Sequence, residues 1–195
     1  MRPTGLLFAL AALHPFEGQP RIQLHRLEAL YVPPNTTLTA RRSLEHVVPR
    51  AVLRDPRAAA DLHNIFSTAA ALNARRGCLR LDAADTADAE PGRFASAGHG
   101  NFVDRRRRSF CVEEGSRGTV ARAILYVQRV YGCDPAESLV GGSARAWAWH
   151  AEYPPTRMEL AHNSLVARAQ GAGNFLVCNE TRVAVDCIVR GLHRK

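Results

Sequence analysis

Glu45, His46, Asn73 and Arg76 are residues of this 195-residue chain whose types could supply the groups for attack by water on a phosphodiester. That reaction needs a group to take the water's proton and positive charge on the phosphorane and the departing oxygen. An imidazole with a pKa near ~6.5 keeps a neutral base available at physiological pH, which suits His46 to proton abstraction. Glu45 and Asn73 offer a carboxylate and an amide oxygen. A hard ion such as Mg²⁺ takes oxygen donors and retains several waters, so two protein ligands are enough. Arg76 lies one turn beyond Asn73 on the same helix side, within reach of the phosphate region. Each residue also has an ordinary role open to it: an exposed histidine, a solvated glutamate, an asparagine bonded within its own helix. Composition alone does not join Glu45-His46 to Asn73.

The elements that must position these groups are a strand and a helix. Thr37 to Val48 is β-branched and extended in character and is closed by Pro49, which predicts a strand there. Adjacent strand residues point to opposite faces, so convergence of Glu45 and His46 on one phosphate predicts irregular backbone at the pair. Ser67 stands as an N-cap before an alanine-rich run that Gly77 stops, which predicts a helix carrying Asn73 and Arg76. Cys78 to Leu81 reads as a brief strand, and 82–109, rich in Ala, Gly and Asp, as a long loop.

Further helices are expected from about Thr119 to Tyr131, where Val120, Ala123, Ile124 and Val127 repeat at helical spacing, and from the Thr156-x-x-Glu159 capping box to Gly171. Phe175 to Cys178 and Val183 to Val189 read as a hairpin. Ile22, Leu24, Leu27, Leu30 and Tyr31 read as a short amphipathic helix, and the run Leu6 to Leu13 as a first helix or the start of a signal peptide. The expected organisation is an N-terminal helical segment or signal region over 1–36, a catalytic domain over 37–178 and a C-terminal extension over 179–195.

The formal charge of +8 and pI of about 9.9 favour an anionic partner, and all of the basic residues except Lys195 are arginine. Arg105, Arg106, Arg107 and Arg108 form a run suited to phosphate contact or to a solvated loop. Five cysteines in no compact spacing argue against a structural zinc site. Cys178 and Cys187 could close a local disulfide, and free thiols are the alternative. No apolar stretch is long enough to span a membrane.

Several segments, in order, resemble the endonuclease I family of bacterial periplasmic and secreted nucleases, within the ββα-metal or His-Me finger group. Leu44-Glu45-His46-Val47-Val48-Pro49 resembles the family's EHVxP element, and Ala60-Asp61-Leu62-His63-Asn64-Ile65 its DLHNL element. Asn73-Ala74-Arg75-Arg76 fits the NxxR that comes next. Arg117 to Tyr126 resembles KGDxARAxxY, and Trp149, Pro154-Pro155, Glu159, Asn163 and Gln170 keep the order of the family's ending. The resemblance implies an α+β fold, a mainly helical domain around a ββα-metal core. It further implies one Mg²⁺, or another divalent ion, on Glu45 and Asn73, His46 as general base, Arg76 at the phosphate, and 5′-phosphate products from DNA and RNA cut without sequence preference. His63, Asn64 and Arg122 fall in its motifs as supporting residues. Secretion or a periplasmic location is implied too, with a monomer that has nucleic acid as its partner and no membrane.

The sequence departs from the pattern at Gly77-Cys78, where Ser-Asn is usual, at His162, where Arg is expected, and at Gly171 to Phe175. The alternative function is a catalytically inactive, basic nucleic-acid-binding protein that keeps the fold.

Overall fold

The computed structural model describes residue 24 and residues 26–84 and 92–178. Strand β1 (Arg42–His46) pairs antiparallel with β2 (Ile65–Ala69), and the register runs without a break from Arg42 opposite Ala69 to His46 opposite Ile65. Between the strands lie a short helix α1 (Pro56–Ala60) and a 3-10 turn (Leu62–Asn64). Helix α2 (Ala70–Arg76) comes directly after β2 and packs back on β1, completing a β-β-α unit.

This unit differs from the sequence expectation in three ways. The strand begins at Arg42 and not Thr37, and it ends at His46 because Val47 and Val48 leave the ladder for other partners. Val47 N–H donates to the Asn64 carbonyl at 3.0 Å, and the Asn64 side chain takes both the N–H and the carbonyl of Val48. The expected irregularity at Glu45-His46 is absent, since the pairing holds through both residues. Ser67 lies inside β2 and caps nothing. The helix starts at Ala70, with no side-chain cap, and ends at Gly77, whose φ of 48° supplies the expected stop.

A second sheet has the order β3-β6-β5-β4, built from β3 (Arg80–Asp82), β4 (Phe94–Gly98), β5 (Asn101–Asp104) and β6 (Ser109–Cys111). Only β3 and β6 run parallel. The expected long loop over 82–109 thus holds strands β4 and β5 and the ends of β3 and β6, with 85–91 outside the described residues. His99 and Gly100 turn the β4-β5 hairpin with φ of 54° and 78°, the positive pair that a tight hairpin turn needs.

Helix α3 (Arg117–Tyr131) is the centre of the molecule, with every residue from Gly118 to Val127 buried, and Gly132 ends it in the left-handed conformation. Helices α4 (Pro135–Val140), α5 (Ser143–Glu152) and α6 (Arg157–Gln170) pack around it, and α7 (Phe175–Cys178) comes last. Phe175 to Cys178 is therefore helical and not a strand, and the pairing segment expected at 183–189 lies outside the described residues, as does Cys187. Residues 26–30 are not helical: Leu30 forms a parallel bridge with Thr68. The signal or first-helix segment lies outside the described residues. Cys78, Cys111 and Cys133 are free thiols. Among the described residues no helix is long and apolar enough to cross a membrane.

Arg122 on α3 and Glu159 on α6 are both buried and lock these helices through two parallel bonds of 2.8 and 2.7 Å. Thr156 accepts from Glu159 N–H at the start of α6, so one end of the expected capping box forms, while the carboxylate is spent on Arg122. Gly118 sits where a Cβ would come 2.1 Å from the Tyr153 carbonyl and 2.7 Å from an Arg122 guanidinium nitrogen. Because the nearest atom is backbone, Gly118→Ala is expected to cost about 2 kcal/mol despite the better helix propensity of alanine, lowering the melting temperature by roughly 4–8 °C. An unchanged melting curve would show that α5 can yield at Tyr153.

Candidate active site

The regular alternation of β1 sorts its side chains onto two faces. Ser43 and Glu45 share one. Asn73 of α2 donates through its amide nitrogen to the Ser43 hydroxyl and to the Leu44 carbonyl, both at 3.0 Å, which sets α2 on that same face. With both amide protons used on the strand, Oδ1 is the end of Asn73 able to ligate.

Glu45 is buried, and a buried carboxylate needs compensation. Arg76, one turn beyond Asn73, approaches Glu45 Oε1 to 3.2 Å, and the Tyr31 hydroxyl donates to the same oxygen at 3.0 Å. Burial pushes the Glu45 carboxyl up to about 7, with Arg76 and Tyr31 pulling the other way. Arg76 is only 1% exposed and donates to the carbonyls of His46, Val47 and Gly77 at 3.1, 2.5 and 3.0 Å. The sequence expectation that Arg76 meets the phosphate is therefore corrected: its guanidinium is a buried brace, turned onto Glu45 and the end of β1. Its Nε is a buried donor with no partner.

His46 occupies the other face. Its Nε2 lies 3.0 Å from the Ala59 carbonyl, and since a carbonyl only accepts, Nε2 is the donor. The ring lines a cavity of about 450 Å³ with Arg50, Leu53, Arg54, Pro56, Ala59 and Ala60. Arg50 and Arg54 are exposed. Neither is marked by the sequence expectation, although two arginines four apart directly after Val47-Val48-Pro49 are a usable signal.

The remaining sequence candidates fall elsewhere. Asn64, fully buried, holds Val48 and so fixes where the chain leaves β1. His63 is buried against the Tyr126 ring with Nε2 3.0 Å from the Ala172 carbonyl, and burial lowers its pKa. Arg122 is tied to Glu159 in the helical core. Arg105 to Arg108 form the exposed β5-β6 turn, where the Asp104 carboxylate accepts from Arg106 and Arg107 N–H at 2.9 and 3.0 Å. None of the four lines the His46 cavity.

The donor set suits a hard ion. The Tyr31 hydrogen bond and the shortest Arg76 contact both fall on Glu45 Oε1, and the Asn73 amide nitrogen is bound to Ser43 on the same face of β1. Among the described residues no group of three or more His, Cys, Asp or Glu side chains could hold a metal. An ion on Glu45 and Asn73 thus has to keep most of its waters, as Mg²⁺ does.

Residues 35–180 match a family model of nucleases, hydrolases that act on nucleic acid. The family is endonuclease I, and the chain belongs to it. No curated protein matches the chain.

His162, where the sequence departs from the family pattern, stacks on Phe66 at 4.1 Å and lies 3.0 Å from the Leu62 carbonyl through Nε2. Burial, helped by the nearby His63, pushes it down to about 3, while the Leu62 carbonyl and Asp61 act in the opposite sense. Between that value and the unfolded value near ~6.5 the unfolded chain holds a proton that the folded chain lacks. Stability therefore falls as pH falls through this window, by at most ~1.4 kcal/mol per pH unit from this residue. Urea unfolding of His162→Gln is expected to show a flatter acid dependence than wild type, and equal slopes would contradict the assignment.

Proposed function

We propose that this nuclease is a Mg²⁺-dependent endonuclease that hydrolyses phosphodiesters of DNA, and of RNA, without sequence preference and leaves 5′-phosphates. The observation that carries the reading is the placement of Asn73 and Glu45 on one face of β1, with His46 at the strand end on the other. In-line displacement needs the attacking water and the departing oxygen on opposite sides of phosphorus. In this reading Glu45 and Asn73 serve the departing side and His46 the attacking side, at the strand end where the chain leaves the ladder.

His46 takes the proton of the attacking water, while the Ala59 carbonyl orients the ring through Nε2. Glu45 and Asn73 would hold the ion, which when bound supplies positive charge to the phosphorane and the departing oxygen. Arg76 keeps Glu45 in place and partly offsets its buried charge. Arg50 and Arg54 grip the substrate backbone beside His46, and their contacts carry no base recognition, in keeping with cleavage at any sequence. A group with one carboxylate, one amide and a water-rich ion accommodates other hard divalent ions as well.

Purified protein is expected to degrade plasmid in Mg²⁺ and to stop on addition of EDTA. His46→Ala should lose roughly 10²–10⁴-fold in rate while still binding DNA. Wild-type activity in that variant would sink the mechanism. The pair Arg50→Ala and Arg54→Ala together should raise KM and reduce the salt dependence of binding by about two phosphate contacts, with kcat largely kept. An unchanged salt slope would remove these arginines from the substrate path.

A further inference from the structure

Tyr31 is a buried tyrosine with a φ of 66°, in the left-handed region that residues other than glycine seldom occupy. Such a conformation persists only where the surroundings over-determine it. Here they do. Tyr31 N–H donates to Ser116 Oγ at 2.9 Å, and Asn101 Nδ2 donates to the Tyr31 carbonyl at 2.7 Å. Ser116 and Asn101 are themselves joined through Glu113, whose carboxylate accepts from the Ser116 hydroxyl and whose N–H donates to Asn101 Oδ1 at 3.0 Å. The ring leans on Phe110 at 5.2 Å. The second sheet and the turn before α3 thus converge on one residue, and its phenol oxygen goes to Glu45 Oε1.

Packing alone would need the ring and neither the unusual backbone nor the hydroxyl's aim. We propose that Tyr31 is a positioning residue for the ion-binding carboxylate: with Arg76 it occupies Oε1 of Glu45 and so reserves Oε2 for the ion. The proposal rests on the assignment of Glu45 and Asn73 as ligands. A carboxylate held at one oxygen by the Tyr31 hydroxyl and by the charge of Arg76 is restrained from turning, and its second oxygen meets the ion already oriented. Partners of this kind contribute about 10–100-fold to metal affinity.

The test is calorimetric titration of Mg²⁺ alone into wild type, Tyr31→Phe and Phe110→Leu, with the Mg²⁺ dependence of plasmid cleavage measured alongside. Tyr31→Phe is expected to bind Mg²⁺ about 10–100-fold more weakly and to need correspondingly more Mg²⁺ for half-maximal cleavage, with KM for DNA unchanged at saturating ion. Phe110→Leu, which loosens the ring but keeps the hydroxyl, should melt earlier and bind Mg²⁺ as wild type does. Equal Mg²⁺ affinity in wild type and Tyr31→Phe overturns the role of Tyr31 and leaves the ligand assignment standing. An equal loss of affinity in Phe110→Leu reduces Tyr31 to packing and overturns the proposal as well. Should Tyr31→Phe not fold, Ser116→Ala, which removes the acceptor of Tyr31 N–H, carries the comparison. It is expected to weaken Mg²⁺ binding, and wild-type affinity in that variant overturns the proposal. A wild type that takes up no Mg²⁺ overturns the ligand assignment and this proposal together.

Discussion

Burying a carboxylate beside a guanidinium takes two charges out of water, and removing one partner of such a pair typically costs about 3–5 kcal/mol because the other is left uncompensated. Glu45 and Arg76 are that pair, and the β-β-α unit is arranged around it. Arg76 binds the carbonyls of His46 and Val47, where β1 ends, and of Gly77 at the end of its own helix, so strand end and helix end are fixed to each other. Asn73 meets β1 one turn earlier through Ser43 and Leu44. The same contacts that compensate the charge thus hold the candidate ligands in register.

The Glu45-His46 dipeptide gains its meaning from ordinary strand geometry. One side chain enters the interior and is raised toward neutrality by burial, while the next turns to a solvent-accessible cavity carrying two arginines. Opposed faces are an obstacle to shared chemistry if both groups must meet at one point; under the proposed mechanism they would instead serve the ion side and the water side of a phosphate at the strand end. Asn64 makes this possible by ending the ladder one residue later, where it substitutes its side chain for a strand partner at Val48.

What is legible in the sequence depends on whether the signal is local. Helices α3 and α6 are, because apolar spacing, a Thr156 cap and terminal glycines at 132 and 171 all act within a few residues. Strand β2 is not: Ile65 to Ala69 is buried on both faces, so it shows no alternation, and Ser67 has the look of a cap. The β4-β5 hairpin is hidden by small and polar residues whose pairing is set by a two-residue turn. At the site, residue types mark Glu45, His46 and Asn73, but the partner of Arg76 is unreadable, since a buried and an exposed arginine look alike in sequence. Tyr31 reads as one apolar position among several, because its contacts lie 70 and 85 residues away.

The central claim is that Glu45 and Asn73 together hold one divalent ion on the face of β1 opposite His46. Anomalous diffraction from crystals grown with Mn²⁺ tests it most directly. The account predicts a single peak within bonding distance of Glu45 Oε2 and Asn73 Oδ1, with water filling the remaining positions. A peak ligated by the His46 imidazole, or full occupancy retained in Asn73→Ala, would contradict it.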